Sequence, residues 1–182
     1  PQTSPEEESQ KTPITLCIIG TDFFGSHLDD LTKKEIKQRP LRILRLEGFE
    51  QYQKKNPNAS RQQYFQDQKK AMEGCSLLFI SKSEEKHVHE LKASIDVMPI
   101  LTVSDISGFA DSGGEIELVK DENKIRFDVN VVSAEKKGLR ISSQLLQLAK
   151  KVYKKSKIVL EPKEIEEWKI QSYRRIKTVK II

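Results

Sequence analysis

Residues 14–20 read ITLCIIG, an unbroken apolar run closed by glycine. A run without alternation belongs to a strand covered on both faces, as in a parallel sheet. CSLLFIS at 75–81 and PILTVSD at 99–105 repeat the pattern. LRILRLE at 41–47 alternates apolar with charged positions instead, which predicts a half-exposed edge strand. Helices are predicted between these strands. One spans 27–38, with Leu28, Leu31 and Ile36 on one side, and stops before Pro40. Another is SEEKHVHELKASI, with Ser83 as N-cap and Glu84 and Glu85 in its first turn. Residues 48–70 are very polar. Their second half, with the following AMEG, fits a helix, whereas the first half, broken by NPNAS, reads as a surface insertion without chemistry.

After residue 105 the period changes. Residues 114–130 set Ile116 and Leu118 against Ile125, Phe127 and Val129 about the turn DENK, a β-hairpin signal. Ile141, Leu145, Leu148, Ala149 and Val152 then recur at helical spacing, predicting one helix packed on the sheet, with Ser142 and Ser143 making hydrogen bonds at its start. The sum is an α/β chain with a Rossmann-like or flavodoxin-like three-layer fold: a mostly parallel sheet and an appended antiparallel hairpin. Residues 1–13 read as a polar linker, 14–152 as the domain and 153–182 as a basic extension. Within that extension Ile165, Trp168, Ser172, Ile176 and Val179 predict an amphipathic helix over 164–182, expected to dock on its own domain.

The length of 182 residues suits one domain, and no window approaches the roughly eighteen apolar residues of a membrane span. From Lys150 onward eleven Lys/Arg face four Glu, a balance of +7, so residues 1–149 carry −2 of the total +5. The basicity therefore belongs to the extension. No aromatic stacking platform or nucleic-acid module accompanies it, which disfavours DNA or RNA as a partner. Cys17 and Cys75 fall on strands that neighbour each other in a 2-1-3 order, and both a disulfide and two buried thiols are compatible with that placement. His87 and His89 read as exposed helix histidines, because an HxH on a helix points its rings about 200° apart.

Candidate chemistry centres on residues 104–114, SDISGFADSGG, which follow the carboxyl end of a strand, where open α/β sheets bind ligands. TDFFG at 21–25 and SKSEE at 81–85 open onto the same edge, so three loops are expected to form a pocket there. No GxGxxG follows the first strand, and neither a GxxxxGK[ST] nor a GxSxG motif occurs, which disfavours dinucleotide, NTP and serine-hydrolase chemistry. A Mg²⁺ site on Asp22, Asp105 and Asp111 of the phosphoacceptor kind is also disfavoured, since the hairpin stands where that reading needs a late strand bearing a lysine.

LCIIGTDFFG, GCSLLFIS and the long block from 101 to 148, in this order, closely resemble the YfiR-like family of bacterial periplasmic proteins. The resemblance covers about residues 14–152 and implies an exported, non-enzymatic α/β protein without cofactor. It would bind the periplasmic domain of a membrane-bound diguanylate cyclase and repress it, lowering cyclic di-GMP and biofilm. A ligand-binding sensor module of another signalling system, such as one with a histidine kinase, is the alternative. Family members carry a signal peptide and a segment ending in Trp-Pro ahead of the first strand, so truncation before Pro1 is expected. The periplasmic address selects the Cys17–Cys75 disulfide over free thiols. The resemblance also makes 104–114 a signature loop acting through shape, with Ser104 and Asp105 at its start, Gly108, Gly113 and Gly114 as candidates for positive φ, and Phe109 as apolar anchor. A homodimer is expected, with the hairpin edge and the last family helix in the contact surface.

Overall fold

A computed structural model describes residues 12–154 except 34 and 37. In chain order the elements are β1 (Ile14–Ile19), α1 (Ser26–Leu31), β2 (Glu35–Ile36), β3 (Arg39–Leu46), α2 (Phe49–Lys55), α3 (Arg61–Met72), β4 (Leu77–Ile80), a 3₁₀ helix (Lys82–His87) and α4 (Val88–Ser94). Then come β5 (Leu101–Ser104), β6 (Ile116–Asp121), β7 (Lys124–Asn130), α5 (Val131–Lys136), α6 (Ser143–Leu148) and β8 (Lys151–Tyr153). They build one mixed sheet in the order β2-β3-β1-β4-β5-β6-β7-β8. β3, β1, β4, β5 and β6 are parallel, while β2–β3 and β6–β7 pair antiparallel. The α/β class, the parallel sheet and the antiparallel hairpin are thus as the sequence predicts. Among the described residues no helix is long and apolar enough to cross a membrane.

β1 is an interior strand, paired on its two edges with β3 and β4, and consecutive residues Cys17, Ile18 and Ile19 are buried on alternate faces, which explains its unbroken apolar run. Cys17 and Ile19 of β1 and Leu78 and Ile80 of β4 point into the main core, against Tyr64 and Met72 of α3 and Leu91 of α4. Burying side chains of this size stabilises by about 1.5–3 kcal/mol each. The opposite face, with Ile18 and Phe79, carries α1 and the preceding loop, where Phe24 meets Phe79 edge-on at 4.9 Å. The disulfide joins Cys17 to Cys75 just before β4, Cα atoms 5.8 Å apart and 58 residues apart in sequence.

Several elements depart from the sequence-based expectations. The helix expected over 27–38 ends at Leu31, and Glu35–Ile36 instead forms β2, turning into β3 through Gln38 at φ 62°. Leu31 and Ile36 are exposed, so they form no buried stripe; α1 is held by polar ties from Arg45 to the Asp29 carboxylate and the Gly25 carbonyl. The surface insertion expected at the start of 48–70 is α2. Its Phe49 and Tyr52 pack edge-on against Tyr64, completing the core through aromatic contacts that a polar-looking stretch conceals.

The N-cap after β4 is Ser81 rather than Ser83, and the first turn is 3₁₀, with Glu84 turned inward and buried. His89 is exposed as expected, but His87 is half-buried, its ring 4.2 Å from that of Phe49. The single helix expected through Val152 is broken: Gly138 at φ 73° ends α5, Ser142 caps α6 through Leu145 N, and Val152 lies in β8, parallel to β7. Leu148 is consequently exposed, and α6 buries none of its residues. The helix expected at 164–182 lies outside the described residues.

Candidate functional site at the carboxyl edge of the sheet

The 104–114 loop is a tied-down plug. Buried Ser104 donates its hydroxyl to Ile80 O at 2.7 Å and accepts Ile106 N at 3.0 Å. Asp105 accepts Lys82 N at 2.7 Å, bracing the start of the 3₁₀ helix. Gly108 N and Ala110 N donate to the two carboxylate oxygens of Glu117, at 2.9 and 3.0 Å. Phe109 is buried between them, an apolar anchor in position as well as in type. Gly108 and Gly113 have φ of 75° and 89°, as expected for glycines. Gly114 has no positive φ; it is small for a different reason, because a Cβ there would overlap the Phe109 ring.

Two carboxylates that hold this region were not singled out from the sequence. Alternation gives Glu115 and Glu117 to the polar face of a hairpin, yet both are buried. Glu115 accepts Thr102 N at 2.9 Å, the Thr102 hydroxyl, and Ser133 Oγ at 2.9 Å, and pairs with Lys137 at 3.2 Å. No periodicity distinguishes such a carboxylate from a solvated one; only the Gly113-Gly114 pair ahead of it signals close approach.

On the helix side the strand ends are tied together through Glu84. Glu84 accepts Phe49 N at 3.0 Å and Ser83 Oγ at 3.3 Å, with the Tyr64 hydroxyl at 3.5 Å. Burial first, then the Glu84 charge and hydrogen bond, push the Tyr64 phenol well above its ordinary range. A Cβ at Gly48 would strike the Glu84 carboxyl, and Gly20, at φ 90°, stands against Ser83 and Glu84. SKSEE is therefore a tie between strand ends, and its Ser83 and Glu84, with Gly20, Thr21 and Gly48, line a separate polar pocket of about 360 Å³ rather than the apolar groove on the other face.

On the other face the edge is open. A groove of about 520 Å³ runs between the 21–25 loop and the hairpin, walled by Phe23, Phe24, Phe79, Leu118 and Ile125, with Asp105, Lys120 and Lys124 among its polar groups. Asp22 shapes one wall by accepting Phe24 N at 2.8 Å, Gly25 N at 3.2 Å and Arg45 Nε at 2.7 Å. Burial alone would raise its pKa, but Arg45 and the two N–H groups outweigh this and hold the carboxyl below its usual range. Of the aspartates weighed for Mg²⁺, Asp22 is so engaged, Asp105 braces Lys82 N and Asp111 is exposed. Among the described residues no three His, Cys, Asp or Glu stand together as metal ligands. The groove offers apolar surface with a cationic rim, chemistry suited to holding an amphipathic partner.

The sequence model of the YfiR/HmsC-like family matches residues 2–150. The chain belongs to this family. Among solved structures, this YfiR/HmsC-like chain is similar to a conserved domain protein from Vibrio cholerae, with 11% identity, a TM-score of 0.52, and coverage of 76% of this chain and 54% of that one. It is also similar to the ABC domain in complex with L-Trp from Streptococcus pneumonia, with 9% identity, a TM-score of 0.54, and coverage of 76% and 55%. At these identities the likeness is one of fold, and the chain spans about half the length of either structure. No curated protein matches it.

Proposed function

We propose that this YfiR/HmsC-like protein is a periplasmic regulator that acts by binding. It holds an inner-membrane signalling protein inactive, most of all the periplasmic domain of a diguanylate cyclase controlling cyclic di-GMP and biofilm. The observation that carries the reading is the family match over residues 2–150. The Cys17–Cys75 disulfide suits an oxidising compartment. The reading is non-enzymatic and needs no cofactor. It includes a homodimer using the hairpin: β8 pairs with β7 only over residues 128–130, which leaves the outer side of the tip available to a second chain.

Co-expression with a membrane cyclase encoded beside it tests the proposal. Repression is expected to lower cyclic di-GMP, and the two proteins should co-purify. Neither a complex nor a change in cyclic di-GMP would sink the repressor reading. The second reading, a ligand-binding sensor module of another signalling system, is favoured by the open apolar groove. It would survive that outcome and would show as ligand-induced stabilisation of the isolated protein.

A further inference from the structure

The groove between the 21–25 loop and the hairpin is apolar on its walls and cationic on one side, where Lys120 and Lys124 stand on the hairpin. Neither lysine has an ion-pair partner among the described residues. Ile125, in the same wall, is 75% exposed, and Phe23 across from it 66%. The chain carries one tryptophan, Trp168, and its neighbours include Glu164 and Glu167. At helical spacing Glu164 and Glu167 fall about 40° and 100° from Trp168 on the same side, so an indole in the groove presents both carboxylates to one wall.

The chain is long enough for this. β8 ends beside Asn130, at the far end of β7 from the groove. β7 has seven residues, hence a span of about 24 Å, and the nine residues 155–163 reach about 30 Å when extended.

We infer that the chain's own C-terminal segment occupies the groove, with Trp168 between Phe23, Phe79 and Ile125, and Glu164 and Glu167 against Lys120 and Lys124. The segment would then be an intramolecular plug, competing with whatever else the groove takes. The inference does not rest on the repressor reading.

Because Trp168 is the sole tryptophan, its fluorescence in the full chain reads the inference directly. Emission is expected to be blue-shifted, with acrylamide quenching several-fold weaker than for free tryptophan and unchanged on dilution. Ile125→Asp, at a position exposed enough to leave the fold intact, is expected to return both to solvent-like values. So is the pair Lys120→Glu and Lys124→Glu, and adding Glu164→Lys and Glu167→Lys is expected to restore shielding. Solvent-like emission in the unaltered chain would overturn the inference. Shielding that survives the groove substitutions would overturn it too, and shielding that grows with protein concentration would assign the groove to a second copy instead.

Discussion

Glu115 and Lys137 form an ion pair with a 3.2 Å N–O separation and side-chain exposures of 0% and 6%. The pair replaces missing strand pairing: β5 and β6 are in register only at Val103↔Ile116 and Ser104↔Glu117, and one residue earlier the Glu115 carboxylate takes Thr102 N. Removing one member strands a buried charge. Lys137→Met should therefore destabilise the protein by about 3–5 kcal/mol, whereas Lys137→Met with Glu115→Leu should recover much of the loss. Urea unfolding of the two variants measures both, and equal losses would show that the carboxylate's other hydrogen bonds matter more than its charge.

The Asp22–Arg45 contact predicts an acid-sensitive corner. A carboxyl whose folded pKa lies below its unfolded value of about 4 contributes stability that is fully present above that value and lost as pH falls through the folded pKa. Asp67, beside the Tyr52 hydroxyl, and Glu90, beside Arg61, are shifted in the same direction. Asp22→Asn should thus flatten the stability profile below pH 4 without abolishing the slope. A variant whose acid unfolding superimposes on that of the unaltered protein would show that Asp22 is not depressed.

Where a local signal sets the outcome, the sequence was legible. The apolar runs at 14–20 and 75–81 became β1 and β4, and the alternation about DENK gave the observed register, Ile116↔Val129 and Leu118↔Phe127. The misses lie where tertiary contacts decide. Leu145 and Val152 share a helical phase, yet Gly138 and the free edge of β7 divide them between α6 and β8. Glu84, Glu115 and Glu117 look like surface glutamates because their partners, chiefly backbone N–H groups and hydroxyls and for Glu115 also the Lys137 ammonium, are brought in by the tertiary fold. The groove was legible in part: two of the three expected loops border it, but the hairpin wall with Lys120, Lys124 and Ile125 depends on how β6 and β7 continue the sheet.

The glycines of the 104–114 loop should separate two physical causes. Gly113→Val places a β-branched side chain at φ 89° and should cost about 1–3 kcal/mol in backbone strain. Gly114→Ala should cost a similar amount through overpacking against Phe109, and shrinking that ring with Phe109→Leu should make the alanine better tolerated. Asp111→Ala, at an exposed position, should stay within about 0.5 kcal/mol of the unaltered protein. Thermal melts of the set decide: a Gly114→Ala penalty unchanged by Phe109→Leu would argue against the ring as its cause.

The disulfide should be intact in material from an oxidising compartment, and thiol titration of the denatured, unreduced protein should find no free thiol. Cys17 and Cys75 close a separation of 58 residues, for which the chain-entropy model gives about 4 kcal/mol. Both half-cystines are buried in the main core, so replacement by serine would add a desolvation cost to the lost cross-link. The double variant Cys17→Ala and Cys75→Ala isolates the cross-link better and should melt well below the oxidised protein, close to the reduced one. If the oxidised and reduced proteins melted together, the bridge would be a passive neighbour contact, and the parallel pairing of β1 with β4 would by itself suffice to hold the two strands in register.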